Sequence, residues 1–185
     1  MSDSDACFFG VDYLVGILRP EQVNAVLSKA TSFPESDDKF SYGALGMRSS
    51  KTARLPRIPD TEWLYDWLMF RARAFNQRFK FEFESIEEPL QVIRYREGER
   101  VDWHIDCGGP VGAGGRRKLS MTVQLSDGGI YDGGDLEFLG RPLHAFVRTI
   151  GTTIAFPSFL AHRVSEVTRG ERYSLVAFFE GEPFR

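Results

Sequence analysis

The periodicity of the chain changes at Pro89, and that change limits the folds open to it. From there to the C-terminus the sequence breaks into eight short runs rich in β-branched and aromatic residues: PLQVIRYRE, RVDWHID, RKLSMTVQLSD, GDLEFL, HAFVRTI, GTTIAFPS, HRVSEVT and ERYSLVAFFEG. Gly, Asp, Ser and Pro separate them, which is the punctuation expected between strands. This density of short strands predicts a sandwich or barrel, and eight is the strand number of a jelly roll. Before Pro89 the spacing is helical. RPEQVNAVLSKA puts Pro20 in a first turn and Val23, Val26 and Leu27 on one face. TEWLYDWLMFRARAFNQRF, capped by Asp60 or Thr61, brings Trp63, Leu64, Trp67, Leu68, Phe75 and Phe79 near one face. The stretch between them, TSFPESDDKFSYGALGMRSSKTARLPRIPD, reads as a long polar connection, a length that compact domains keep where it serves function. The expectation is a mainly β jelly roll with the N-terminal helices packed on the outer face of one sheet. Residues 1–185 then form one domain, with 1–88 as helical support and substrate loop and 89–185 as the core.

With 185 residues, 42% of them hydrophobic and 16 of them phenylalanine, such a domain can bury a sizeable aromatic core. The net charge of −3 and pI near 5.7 lack the broad basic footprint of a nucleic-acid binder. The only cysteines, Cys7 and Cys107, are far apart, which points to a reducing compartment rather than a disulfide framework. The first residues have no basic n-region, and their apolar run is broken by Asp12, so no signal peptide is read. No apolar stretch approaches the ~18 residues of a membrane span. A cytoplasmic protein is expected, with neither membrane nor nucleic acid among its partners.

The chain holds three histidines. His104 precedes Asp106 by two residues, and strand alternation would point both the same way. His144 and His162 compete for the third position of a metal site; His162 opens the run HRVSEVT just after an apolar strand. Two histidines and a carboxylate on one side of a cation form a facial triad with open positions, which suits non-haem Fe(II). Ten residues past His162 stands Arg172, and TRGE between them reads as a hairpin turn that would set His162 and Arg172 on paired strands. Arg172, Ser174, Val176 and Phe178 share the face that looks inward. An inward arginine is costly without an anion, and a guanidinium beside a hydroxyl matches a carboxylate. The glycine-rich CGGPVGAGGRR after Asp106 reads as a lid or a plain connection. Two basic groups, Arg48, Lys51, Arg54 and Arg57, and Arg116, Arg117 and Lys118, are either an acidic-substrate surface or a solvated rim.

The joint pattern of His104-x-Asp106, His162 and Arg172-x-Ser174 resembles the Fe(II)/2-oxoglutarate-dependent dioxygenases. The strings QVIRYREGERVDWHID, GGDLEF and GTTIAFPSFLAHRVSEVTRGERYSL resemble the prolyl-4-hydroxylase-like branch, which includes bacterial PKHD-type hydroxylases. The likeness spans about residues 89–180. It implies a double-stranded β-helix, the cupin-like jelly roll. It implies Fe(II) on His104, Asp106 and His162, and 2-oxoglutarate held by Arg172 with help from Ser174 and Tyr95. It implies O2 as oxidant, with ascorbate as a supporting reductant. Gly133 and Gly134 match a turn before a sheet strand, and Trp103 is read as packing. Asp106 disfavours halogenation, which needs a small residue there, and Phe178 stands where nucleic-acid demethylases carry a second arginine. The reaction implied is hydroxylation of an unactivated C–H bond, of a prolyl or other amino-acyl residue in a peptide or protein. A free amino acid or small metabolite is the alternative substrate, and a non-catalytic cupin-like metal-binding or sensor module is the reading from another class.

Overall fold

The alternation of RKLSMTVQ explains the layering of the whole molecule. In the computed structural model, which describes residues 10–37, 40–41, 47–107, 115–140 and 145–184, this strand is buried along its entire length. Leu119, Met121 and Val123 face two helices, whereas Ser120, Thr122 and Gln124 face a second sheet. A strand covered on both sides must be central, and its neighbours fall into place around it.

The strands are β1 (Asp12–Leu14), β2 (Glu35–Asp37), β3 (Phe40–Ser41), β4 (Met47–Ser49), β5 (Lys51–Leu55), β6 (Leu90–Tyr95), β7 (Arg100–His104), β8 (Arg117–Gln124), β9 (Asp132–Gly133), β10 (Leu136–Phe138), β11 (Thr153–Pro157), β12 (His162–Val164), β13 (Val167–Arg169) and β14 (Arg172–Glu180). The helices are α1 (Pro20–Ala30) and α2 (Glu62–Phe79). One sheet runs β1-β11-β8-β14-β6-β5-β2 and the other β10-β12-β7-β4-β3, with β13 and β9 as a separate ribbon. Neighbouring strands are antiparallel throughout. This is the expected jelly roll.

Both helices lie on the outer face of the seven-stranded sheet. Leu64, Tyr65, Leu68, Ala72, Phe75 and Phe79 of α2 join Val23 and Val26 of α1 and Leu90, Val92, Leu175, Ala177 and Phe179 of the sheet in one core. Burying each large apolar side chain contributes roughly 1.5–3 kcal/mol, so this layer dominates stability. Trp63, expected on the buried face, is 39% exposed, and Tyr65 takes its place, donating its hydroxyl to the Leu55 carbonyl at 2.8 Å. Helix α2 starts at Thr61, whose hydroxyl accepts from Ile58 N at 3.0 Å, while Asp60 pairs instead with Lys29 at 2.6 Å.

Three readings of the sequence are corrected here. The supposed long connection before α2 contains β2 to β5, and β5 pairs β6 over five residues, with Thr52, Ala53 and Leu55 buried. The run HAFVRTI holds a short 3-10 turn at Ala145–Arg148 rather than a strand, and His144 lies outside the described residues. HRVSEVT splits into β12 and β13, which belong to different sheets, so no hairpin pairs His162 with Arg172. Residues 108–114 and Cys7 also lie outside the described residues. No helix among the described residues is long and apolar enough to cross a membrane.

The end of β14 carries a pH-sensitive contact. Burial, together with a hydrogen bond and charge repulsion from Glu88, pushes Glu180 up to about 7. A carboxyl raised in the folded state contributes stability that is fully present below its ordinary value of 4.5 and is lost as pH rises through 7. Glu180→Gln, which mimics the protonated acid, should melt above the wild type at about pH 8 and alongside it at about pH 4.5. Parallel melting curves of the two proteins across that window would refute the contact.

Candidate active site

His104 and His162 stand opposite each other on paired strands of the five-stranded sheet, β7 and β12. Their ring centroids are 4.2 Å apart. Each ring turns its Nδ1 to a main-chain carbonyl two residues upstream: Asp102 O for His104 and Leu160 O for His162, both at 2.9 Å. A carbonyl accepts only, so Nδ1 carries the proton in each ring and Nε2 presents its lone pair. That tautomer is what a metal-binding histidine requires, with the orienting bond already in place.

Asp106 lies two residues past the end of β7, and alternation alone does not put it there. Its N–H and that of Cys107 both donate to Ser158 O, at 2.8 and 2.9 Å, which draws the chain from one sheet toward the other. The Ser120 hydroxyl then donates to Asp106 Oδ2 at 2.7 Å and sits 2.9 Å from Ser158 Oγ. Asp106 Oδ1 is 3.6 Å from His104 Nε2, and Oδ2 is 3.5 Å from His162 Nε2. Burial would raise the Asp106 carboxyl, but the two imidazoles and Ser120 outweigh it and hold the group well below the usual carboxylate range. Burial also lowers His162, against the pull of Asp106, and favours its neutral form. One ligand atom from each of the three residues lies within 4.8 Å of the others. An anionic oxygen and two neutral imidazole nitrogens so placed fit a divalent cation.

Arg172 is on the facing sheet, in register with Tyr95 of β6. It is 2% exposed, the bulkiest of the fully buried side chains, and no carboxylate pairs with it among the described residues. Its Nη2 donates to Gln124 Oε1 at 2.6 Å and its Nη1 to Ser174 Oγ at 3.4 Å, while its guanidinium carbon lies 5.4 Å from the centre of the Tyr95 ring. Its Nε has no hydrogen-bond partner among the described residues. Gly134, at φ +62°, leaves room for the arginine stem: a Cβ there would meet Arg172 Cδ at 3.1 Å and Val167 Cγ2 at 2.9 Å. His104, Asp106, His162, Arg172, Ser174 and Tyr95 all line one cavity between the sheets, closed at its sides by Thr122, Phe156, Val176 and Phe178.

All six residues singled out in the sequence therefore meet in one place. Trp103, expected to pack, points outward and is 37% exposed, with the Arg163 guanidinium 5.0 Å from its ring. Among the basic residues, Arg57 chelates Glu62, Lys51 lies 3.6 Å from Asp37, Arg116 lies 3.4 Å from Glu87 and Arg117 grips Glu88. The sequence reading passed over Ser120, Gln124 and Ser158. The signal for the first two was the strict alternation of small polar with apolar residues in β8; Ser158 carried no comparable signal.

A jelly roll with a His-Asp-His cluster and a buried anion-seeking arginine across one cavity defines a non-haem iron oxygenase architecture. Residues 90–180 match the family model of the 2OG-Fe(II) oxygenase superfamily. A PKHD-type hydroxylase of Nitrobacter winogradskyi is 41% identical over 180 residues, covering 91% of this chain and 76% of that protein. A PKHD-type hydroxylase of Synechococcus sp. (strain CC9605) is 38% identical over 93 residues, 49% of this chain and only 41% of that protein's length. Among solved structures, a Pseudomonas putida prolyl-4-hydroxylase superposes with a TM-score of 0.72 at 19% identity, covering 94% of both chains. A prolyl hydroxylase of Trichoplax adhaerens, in complex with a hypoxia inducible factor oxygen degradation domain peptide fragment, gives 0.72 at 15% identity and covers 92% of this chain and 83% of that one. The chain belongs to the 2OG-Fe(II) oxygenase superfamily, in its PKHD-type hydroxylase branch. Fe(II), 2-oxoglutarate and O2 are the cofactor and cosubstrates of that family.

Proposed function

We propose that this chain hydroxylates an unactivated C–H bond of a prolyl or other amino-acyl residue in a peptide or protein, as one oxygenase domain spanning residues 1–185. The observation that carries the reading is Arg172: a buried guanidinium with no carboxylate partner among the described residues, lining the same cavity as three preset metal-ligand side chains. His104, Asp106 and His162 would hold the iron. Arg172, with Ser174 and Tyr95, would take the far carboxylate of 2-oxoglutarate. When bound, Fe(II) and 2-oxoglutarate together activate O2, oxidising the target C–H bond to an alcohol while 2-oxoglutarate becomes succinate and CO2.

The chain's own part is to place and to shield. Leu160 and Asp102 carbonyls fix the ring planes of the two histidines. Ser120 and the Ser158 carbonyl hold Asp106 across the gap between sheets. Phe156 packs on His162 at 4.7 Å between ring centroids and keeps water from that side. Val176 and Phe178 give the far wall an apolar surface that does not compete for the cation. A peptide substrate is supported by the peptide held by the Trichoplax neighbour, and hydroxylation by the PKHD-type hydroxylase names of the relatives. A reducing, cytoplasmic setting suits an Fe(II) site beside the free thiol of Cys107.

The deciding experiment incubates the protein with Fe(II), ascorbate and 2-oxoglutarate and screens prolyl peptides, other peptides and free amino acids by mass spectrometry. A gain of one oxygen atom on a peptide, matched by succinate, is the expected result. Gain only on free amino acids would move the substrate to small metabolites. Absence of succinate under every condition would return the chain to a metal-binding module.

A further inference from the structure

The least expected feature of the cavity is what stands behind Arg172. Gln124 is 4% exposed, and both ends of its amide are engaged. Oε1 accepts from Arg172 Nη2 at 2.6 Å, and Nε2 donates to the Tyr131 hydroxyl at 2.9 Å. A guanidinium only donates, so the amide must face it with oxygen, and the reverse orientation would set donor against donor. Tyr131 is fixed in turn. Its carbonyl accepts from Arg148 Nη2 at 2.8 Å, its ring lies 4.4 Å beneath the same guanidinium, and Arg148 is held by Asp135 at 2.7 Å. A chain of contacts thus runs from the surface to Arg172.

Among the described residues, the groups that hydrogen-bond Arg172 or lie against its guanidinium are neutral: Gln124, Ser174 and the Tyr95 ring. A glutamate has nearly the shape of Gln124 and would pair with the arginine at lower cost in the empty protein. The amide orients the guanidinium without neutralising it.

We propose that Gln124, locked by Tyr131, is a positioning residue that keeps Arg172 uncompensated and aimed into the cavity, so that the counter-charge must come from a dicarboxylate oxoacid. The inference rests on the function proposed above and concerns how the cosubstrate is selected. It predicts that a carboxylate at position 124 acts as an internal competitor for the cosubstrate.

The test is calorimetric titration of 2-oxoglutarate into anaerobic, Mn(II)-loaded protein, with Mn(II) affinity and Tm measured alongside. Gln124→Glu should lose 2-oxoglutarate affinity by about thirty-fold or more, as expected when a buried charge partner is taken away. Its Mn(II) affinity should stay at the wild-type value, and its Tm should hold or rise from the new ion pair. Tyr131→Phe keeps the ring under Arg148 and removes only the hydroxyl; it should lose several-fold in 2-oxoglutarate affinity with no change in Mn(II) binding, and it carries the test if Gln124→Glu does not fold. Wild-type affinity for 2-oxoglutarate in Gln124→Glu would overturn the proposal. So would a loss that runs in step with Mn(II) affinity and Tm, since that marks a structural role. A wild-type protein that binds Mn(II) but not 2-oxoglutarate would instead overturn the proposed function itself.

Discussion

His104→Ala and His162→Ala should each abolish metal-dependent succinate formation, yet differ in what they cost the fold. Each removes one of three side chains whose ligand atoms lie within 4.8 Å of one another. The His162 side chain is 7% exposed, and its ring packs 4.7 Å from Phe156 and 5.8 Å from Phe138 between centroids. Truncating a buried ring in such a place leaves a cavity and costs about 2–4 kcal/mol. For a chain of this length that lowers Tm by roughly 4–16 °C. The His104 side chain is more open, at 19%, so its truncation should shift Tm far less. The comparison is made on metal-free proteins. Addition of Mn(II) should then raise the wild-type Tm by linkage and leave both variants unmoved. Retained metal stabilisation together with succinate formation in either variant would sink the assignment of the triad.

The legible part of this fold was the part written in short-range periodicity. The two-residue alternation after Pro89 gave most of the strands, and the 3.6-residue spacing gave both helices and most of their buried faces, with Tyr65 in place of Trp63 on α2. The site was legible where chemistry restricts residue type: His104, Asp106, His162 and Arg172 have few other reasons to recur in that order. What alternation could not supply was which strand lies beside which. The four-residue turn TRGE looked like a local hairpin, but β13 intervenes after β12 and pairs with β9, so His162 and Arg172 meet across the gap between sheets rather than along a ladder. Long-range pairing of this kind depends on burial over the whole domain and leaves no local mark. Asp106 shows the same limit. Its orientation comes from the main-chain bond to Ser158, fifty-two residues away in sequence. The polar face of β8 was visible in RKLSMTVQ, but its meaning depended on knowing that Asp106 and Arg172 would sit above Ser120 and Gln124.

Arg172→Met should separate binding from stability in opposite directions. Arg172 is a desolvated cation held by an amide, a hydroxyl and an aromatic ring, with an Nε that finds no partner among the described residues. Replacing such a charge by an apolar side chain of similar length is commonly neutral or stabilising, so Tm should hold or rise. The affinity for 2-oxoglutarate should collapse, because the far carboxylate would then be buried without its counter-ion. That loss is about 2–5 kcal/mol, or roughly thirty- to several-thousand-fold in Kd. Arg172→Lys keeps the charge but lacks the planar fork, and should fall between the two. Mn(II) affinity should be unchanged in both variants, since the hydrogen bonds of Arg172 go to Gln124 and Ser174. Wild-type 2-oxoglutarate affinity in Arg172→Met would place the clamp elsewhere in the cavity. A joint fall in Tm and affinity would make Arg172 a structural residue. Stability held while binding is lost is the behaviour of a group kept for its ligand, at some expense to the fold that carries it.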